Sequence, residues 1–249
     1  MNTSIHYPND DATTPVLIDE GFAHPAAQAT PLVFRWLALG AVVGPVLGTL
    51  AWIVLGFLRP GYSPISQPVS ALGTGHNGVF MNAAFMFDGL LSMVAVIAVF
   101  QSLKNELGTA ACWTCMALLL LSPFGLLWVG IFTMNTLTLH LVGAQLAFAT
   151  PIIALPIAGF LLRRVPKWRR FGTRMLVVGG PLTLALLIGF IMSVPMSEKI
   201  TGGGSYGVWE RALASEVIGW YVALGWLTFR RSHESIDHQE ETSIDVYVN

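Results

Sequence analysis

Five ionisable residues lie inside or beside long apolar stretches of the chain, where a charge is costly. They are Asp88, His140, Glu210, Arg211 and Glu216. A charge at the centre of a membrane-spanning helix costs roughly 2.5–3.5 kcal/mol, so each is a candidate functional group. Asp88 and Glu216 lie roughly nine residues, or about 14 Å, into their stretches, close to the middle of a bilayer core. The structural alternative for Asp88 is a protonated carboxyl or a hydrogen bond with Ser92, one helical turn away.

The Glu210–Arg211 pair comes just before the last apolar stretch. An arginine forms bidentate pairs with carboxylates and phosphates, so Arg211 would suit an anionic lipid head group. The alternative is structural: Glu210 and Arg211 would cap their helix and brace a neighbouring loop, since an acid near a helix N-terminus is favourable in itself.

A second function class is a membrane-embedded metal hydrolase. A catalytic zinc usually takes three protein ligands and keeps a fourth position for water. His76, Asp88 and His140 would supply three ligands, and Ser70 adds a hydroxyl to this inventory. The spacing matches no recognised ligand signature, and no Gly-x-Ser-x-Gly nucleophile elbow is present.

These residues are carried by a chain with the composition of a membrane protein. It has 249 residues, of which 54% are hydrophobic and only 11% charged, against about a quarter charged in a soluble domain. A bilayer core needs about 20 apolar residues of helix. Six segments meet that length and predict an all-α, six-helix transmembrane bundle; they cover residues 32–58, 79–103, 108–134, 138–163, 171–195 and 207–229.

Basic residues predict the orientation, because they favour the cytoplasmic side in short loops. With the N-terminus inside, ten of the 13 Lys and Arg residues lie on the inner face. The outer face then has Arg59, Lys199 and Arg211. We therefore expect a multi-pass plasma-membrane protein with both termini cytoplasmic and Asp88, His140 and Glu210 in its outer half.

The predicted domain organisation is one membrane domain between two tails. The transmembrane domain covers 32–229, and the acidic segments 1–31 and 230–249 read as disordered tails. The net charge of −1 gives no reason to expect a nucleic-acid partner. Membrane lipids are the expected partners, and the oligomeric state is left unknown.

Small residues predict close helix packing. Gly40, Gly44 and Gly48 share one helix face, which lets two backbones approach each other where no hydrophobic effect drives association. In the fourth span His140 shares a face with Gly143, so we expect His140 to point toward a neighbouring helix.

Four stretches carry a resemblance to a known family: "YSPISQPVSALG", "MNAAFMFDGLL", "IFTMNTLTLHLVGAQLAF" and "GVWERA". Together they resemble the bacterial and archaeal membrane family known as domain of unknown function 998, over about residues 35 to 229. The resemblance implies six spans and no established activity. The chain has Ala71 where we expect an acidic residue in that family, which argues against full acid–base chemistry.

The sequence therefore predicts an integral membrane protein that binds or handles a lipid or small polar solute in a cavity open to the extracytoplasmic side. The loop after the first span would cover it. No cofactor is expected, apart from zinc in the hydrolase alternative. The expected cavity residues are Ser66, Ser70, Asn82, Asp88, His140, Glu210, Arg211 and Glu216.

Overall fold

Six helices are long and apolar enough to cross a membrane in the part of the chain that the computed structural model describes. That part is residues 32–199 and 204–248, with side chains at 32–193 and 204–231. The helices are α1 (Leu32–Leu58), α2 (Gly78–Ser102), α3 (Thr109–Ile131), α4 (Met134–Leu162), α5 (Pro166–Ser193) and α6 (Tyr206–Arg231). These described residues include no β-strand. The all-α bundle is confirmed, and every predicted boundary lies within five residues of an observed one.

The two predicted tails stay predictions. Residues 1–31 lie outside the described part of the chain. The last helix continues beyond α6 to Val248, and of the segment 230–249 the structure describes side chains only at Arg230 and Arg231.

Local sequence explains where the helices depart from a regular α-helix. In α4 two helical segments, Leu137–Ala149 and Pro151–Leu162, meet at Thr150, because Pro151 has no N–H to continue the hydrogen-bond ladder. In α5 the segment Met175–Gly179 forms a π-helical turn shortly before Pro181. Such turns widen the helix locally.

The glycine stripe of α1 is the contact surface for α2, as predicted. A Cβ atom at Gly40 would lie 2.5 Å from the carbonyl oxygen of Leu91, and one at Gly48 would lie 3.0 Å from Asp88 Oδ2. A larger side chain at Gly40 would require α2 to move, and one at Gly48 would displace the Asp88 carboxyl. The same interaction therefore packs the two helices and sets the position of the Asp88 carboxyl.

Two apolar clusters stabilise the bundle at different depths. The larger one includes Phe100, Leu162 and Met175. It is continuous across the half of the bundle that carries the arginine-rich residues 163–174, here called the basic end. The smaller one lies at the opposite or loop end, where Val69 and Leu72 of residues 59–77, which we call the cap loop, pack on Met81 of α2. The space between the clusters is not completely filled.

Replacement of Gly40 by alanine tests the α1–α2 contact. The new methyl group would overlap the Leu91 carbonyl, so we expect a loss of about 1–3 kcal/mol in unfolding free energy, as for other overpacked sites. The matched control is Gly219→Ala in α6, where a Cβ meets no atom within 4 Å. Its stability should be equal to or slightly above that of the wild type. Equal stability of both variants in detergent unfolding would contradict the packing.

The predicted orientation can be checked by cysteine labelling. His76 in the cap loop and Lys167 at the basic end are both exposed, whereas the two native cysteines are buried. In intact cells an impermeant thiol reagent should modify His76→Cys and leave Lys167→Cys unmodified until the membrane is opened. The reverse labelling pattern would show that the topology is the opposite of the predicted one.

Candidate functional site

A cavity of about 190 Å³ lies between the two apolar clusters. Val69 and Met81 of the smaller cluster form its roof, and Val217 and Tyr221 of the larger cluster lie at its floor. The wall is mostly apolar. Six aromatic side chains line it: Trp52, Phe85, Phe148, Phe190, Tyr206 and Tyr221.

Asp88 is the deep carboxyl group of this cavity and is 4% exposed. Ser92 Oγ donates a hydrogen bond to Asp88 Oδ1 over 3.2 Å, as the structural alternative supposed. The other oxygen, Oδ2, lies above Gly48, which also lines the cavity. Among the described residues Ser92 is the one side chain that donates to this carboxyl, so it has little compensation for a negative charge.

His140 reaches the cavity from α4 and is 6% exposed. Its Nδ1 lies 2.8 Å from the carbonyl oxygen of Phe132. A carbonyl oxygen only accepts, so Nδ1 carries the hydrogen, which orients the ring. As predicted, the His140 face of α4 packs on α3: a Cβ at Gly143 would lie 3.0 Å from the Gly125 carbonyl oxygen.

Glu210, at the start of α6, lines the cavity and also holds the cap loop. The backbone N–H of Val69 donates to Glu210 Oε2 over 2.5 Å, and the N–H of Ser70 also hydrogen-bonds this carboxylate. The Glu210 side chain is 7% exposed. Unlike Asp88, it therefore has backbone donors that compensate its charge.

Arg211 points away from the cavity and braces the cap loop. It donates to the carbonyl oxygens of Pro64 (2.7 Å), Gln67 (3.1 Å) and Gly207 (2.9 Å), and to the Tyr62 hydroxyl. Both terminal nitrogens of the guanidinium are therefore bonded within the protein. The prediction that Arg211 binds an anionic ligand is not supported by this geometry, which matches the bracing alternative.

Two further side chains fasten the rest of the cap loop. Arg59 donates to the carbonyl oxygens of Ala71 and Thr74. Asn82 Nδ2 donates to the Gly73 carbonyl oxygen over 2.9 Å. Asn82 thus belongs to the loop and not to the cavity, because six residues separate it from Asp88 and rotate it by about 240°.

Tyr62 contacts the Arg211 side chain that braces the cap loop. The Arg211 guanidinium lies 5.7 Å from the Tyr62 ring centroid, and the phenol donates to the Pro68 carbonyl oxygen over 3.1 Å. Burial raises the pKa of the Tyr62 phenol above its ordinary value, with Arg211 opposing this shift. The phenol therefore stays neutral at neutral pH and keeps both hydrogen bonds.

Glu216 does not point toward Asp88 and His140, so this prediction was wrong. It accepts hydrogen bonds from Thr183 Oγ1 of α5 over 2.9 Å and from Trp220 Nε1 over 2.5 Å. Six residues separate Glu216 from Glu210, so the two side chains lie about 120° apart around α6. This periodicity could have excluded Glu216 from the cavity.

The proposed zinc ligands are not brought together. No group of three His, Cys, Asp or Glu side chains within the described segments is arranged to hold a metal ion. Asp88 and His140 line the cavity, but His76 is exposed in the cap loop. The ligand set of His76, Asp88 and His140 therefore has no geometric support.

The two predicted serines take different positions. Ser70 lines the cavity, and its hydroxyl lies 3.4 Å from Met134 Sδ. Ser66 stays within the cap loop, where its N–H donates to Ser63 Oγ over 3.4 Å. Neither serine hydrogen-bonds to a histidine within the described part of the chain, so no serine nucleophile is assembled there.

Two polar residues at the cavity floor were missed by the sequence analysis. Tyr221 donates to the Leu119 carbonyl oxygen and Ser122 to the Ala147 carbonyl oxygen, each over 2.7 Å. Tyr221 lies eleven residues after Glu210, which is three helical turns and therefore the same face. That spacing was the available signal for Tyr221, whereas Ser122 offered none.

The six helices and the cavity between them define the class of this protein, a multi-pass membrane protein with a mostly apolar internal cavity beneath a cap loop. The chain belongs to the family described as "Protein of unknown function (DUF998)", whose model matches residues 42–227. This confirms the resemblance seen in the sequence. No curated protein and no solved structure matches the chain.

Removal of the Arg211 brace should loosen the cap loop. Arg211→Ala deletes the hydrogen bonds to Tyr62, Pro64 and Gln67, and we expect roughly 1.5–3 kcal/mol less stability, the range for hydrogen bonds to a charged group. Limited proteolysis should then cut within residues 59–77. Arg170→Ala, an exposed arginine at the basic end, should leave both measurements unchanged. An uncut cap loop in Arg211→Ala would refute the brace.

Proposed function

We propose that this protein binds a lipid or a small amphiphilic solute, with the polar group of the ligand inside the cavity beside Asp88. The observation that carries the proposal is the buried Asp88 carboxyl on the wall of a mostly apolar cavity between the helices. Apolar walls with a few convergent polar groups are the usual composition of a small-molecule site. A carboxyl at mid-membrane depth is costly unless it serves a function.

The size of the cavity supports a head group or small solute in preference to a whole lipid. An engineered protein cavity of about 150 Å³ accommodates benzene, and this one measures about 190 Å³. A polar group with a few attached carbons fits such a volume. Any longer alkyl chain has to lie outside it.

The wall of α4 offers a route for that chain. Leu137 and Leu141 line the cavity and are also 54% and 49% exposed. The cavity therefore reaches the surface of the bundle beside α4. Leucine side chains change rotamer easily, so a ligand dissolved in the membrane has a short path to Asp88.

The cap loop would close the cavity on the extracytoplasmic side. Two observations support this orientation. Val69 and Ser70 of the cap loop line the cavity, and the arginine-rich residues 163–174 lie at the opposite end of the bundle. Clusters of basic residues favour the cytoplasm. The ligand would then be exchanged with the outer leaflet.

Filling the cavity tests the proposal. Ala214 of α6 lines the cavity, and Ala214→Trp should displace a bound molecule because an indole occupies much of the space. The control is Ile153→Trp on the outside of α4, where the native side chain is 62% exposed. Native mass spectrometry of delipidated protein should show one retained molecule in the wild type and Ile153→Trp, and none in Ala214→Trp. Equal occupancy of the two variants, or none in the wild type, contradicts the proposal.

A further inference from the structure

We infer that the polar group bound beside Asp88 is a cation, namely an ammonium group with alkyl substituents. This inference rests on the proposed ligand site. This assigns to the cavity a ligand of the opposite charge to the anionic head group that Arg211 suggested in the sequence. Three features support the assignment: the charges around the cavity, the missing partner of Asp88 and the aromatic wall.

The cavity lining contains more acidic than basic side chains. Asp88 and Glu210 contribute two carboxyl groups, and no Lys or Arg of the described residues lines the cavity. His140 is the single basic group there, and its Nδ1 hydrogen is used by the Phe132 carbonyl. Carboxylates attract a cation and repel a phosphate or carboxylate in a space where little water screens them.

The two carboxyl groups differ in what compensates them. Glu210 accepts from the backbone N–H groups of Val69 and Ser70 and lies next to Arg211. Asp88 has the hydroxyl of Ser92 at 3.2 Å, and it forms no ion pair within the described residues. A buried charge needs a partner of opposite charge and further hydrogen bonds to offset its desolvation. A cationic ligand supplies that partner at Asp88.

The aromatic wall suits the same ligand. Trp52, Phe85 and Tyr221 line the cavity together with Asp88. A ring face attracts an ammonium group, and aromatic cages are the common solution for quaternary ammonium ligands. An apolar wall alone would accept a neutral alkyl group equally well. The combination of aromatic rings with an unpaired carboxyl favours the alkylated cation.

The test is a matched series of small ligands that differ in charge. Hexylamine, hexyltrimethylammonium, hexanol and hexanoate are titrated by calorimetry into purified protein in a maltoside detergent, with empty micelles as the blank. Maltoside micelles contain no ammonium group that would compete. We expect both cations to bind about tenfold or more tightly than hexanol, the ratio given by one charge-assisted hydrogen bond or ion pair. Hexanoate should bind weakest.

Two carboxyl variants test whether Asp88 causes the preference for cations. Asp88→Asn should remove the preference for cations and leave hexanol binding unchanged. Glu216→Gln is the matched control, because this carboxyl lies at a similar depth but is bonded to Thr183 and Trp220 outside the cavity; it should keep the preference. If Asp88→Asn does not fold, the order of the four ligands in the wild type still decides the question.

The outcomes separate this inference from the proposed function. Hexanol or hexanoate binding as tightly as the cations would overturn the cationic ligand while the binding site stands. Failure of all four ligands to bind above the micelle blank would overturn both. Tetramethylammonium, added as a fifth ligand, distinguishes the source: binding equal to that of hexyltrimethylammonium indicates a soluble cation, and much weaker binding indicates a membrane amphiphile.

Discussion

The cap loop covers an apolar bundle, so its backbone N–H and C=O groups need hydrogen-bond partners within the protein. The polar side chains at the loop end supply these partners. An unpaired backbone group costs more as water is removed from it. Glu210 and Arg211 meet this need together, since the carboxylate accepts from loop N–H groups and the guanidinium donates to loop carbonyls. The first turn of α6 thus provides partners for both the N–H donors and the carbonyl acceptors of the cap loop. Arg59 and Asn82 extend the arrangement to the other end of the loop.

This use of the outer polar residues changes the character of the cavity beneath. Because the Arg211 guanidinium is directed into the loop, its positive charge does not face the cavity, and the carboxyl groups dominate there. Asp88 keeps one neutral donor, Ser92. The protein therefore has two kinds of buried acid: Glu210 is a structural anchor with backbone donors, and Asp88 lines the cavity without such donors.

Helix packing places that second acid. The glycine face of α1 lets α2 approach so closely that the Asp88 carboxyl lies directly over Gly44 and Gly48. A larger residue at either position would move α2 or displace the carboxyl. The contact that holds the first two helices together is therefore also the one that determines where the polar group of the cavity lies.

The sequence by itself determined the number of spans, their approximate ends, the family and the glycine contact, because hydrophobic length and small-residue spacing are local properties of the chain. It also selected Ser70, Asp88, His140 and Glu210, which do line one cavity. Only the tertiary structure decided the roles of Arg211 and Glu216. Whether a long polar side chain faces a loop, a neighbouring helix or a cavity depends on which acceptors lie within reach, and those acceptors come from residues distant in the chain.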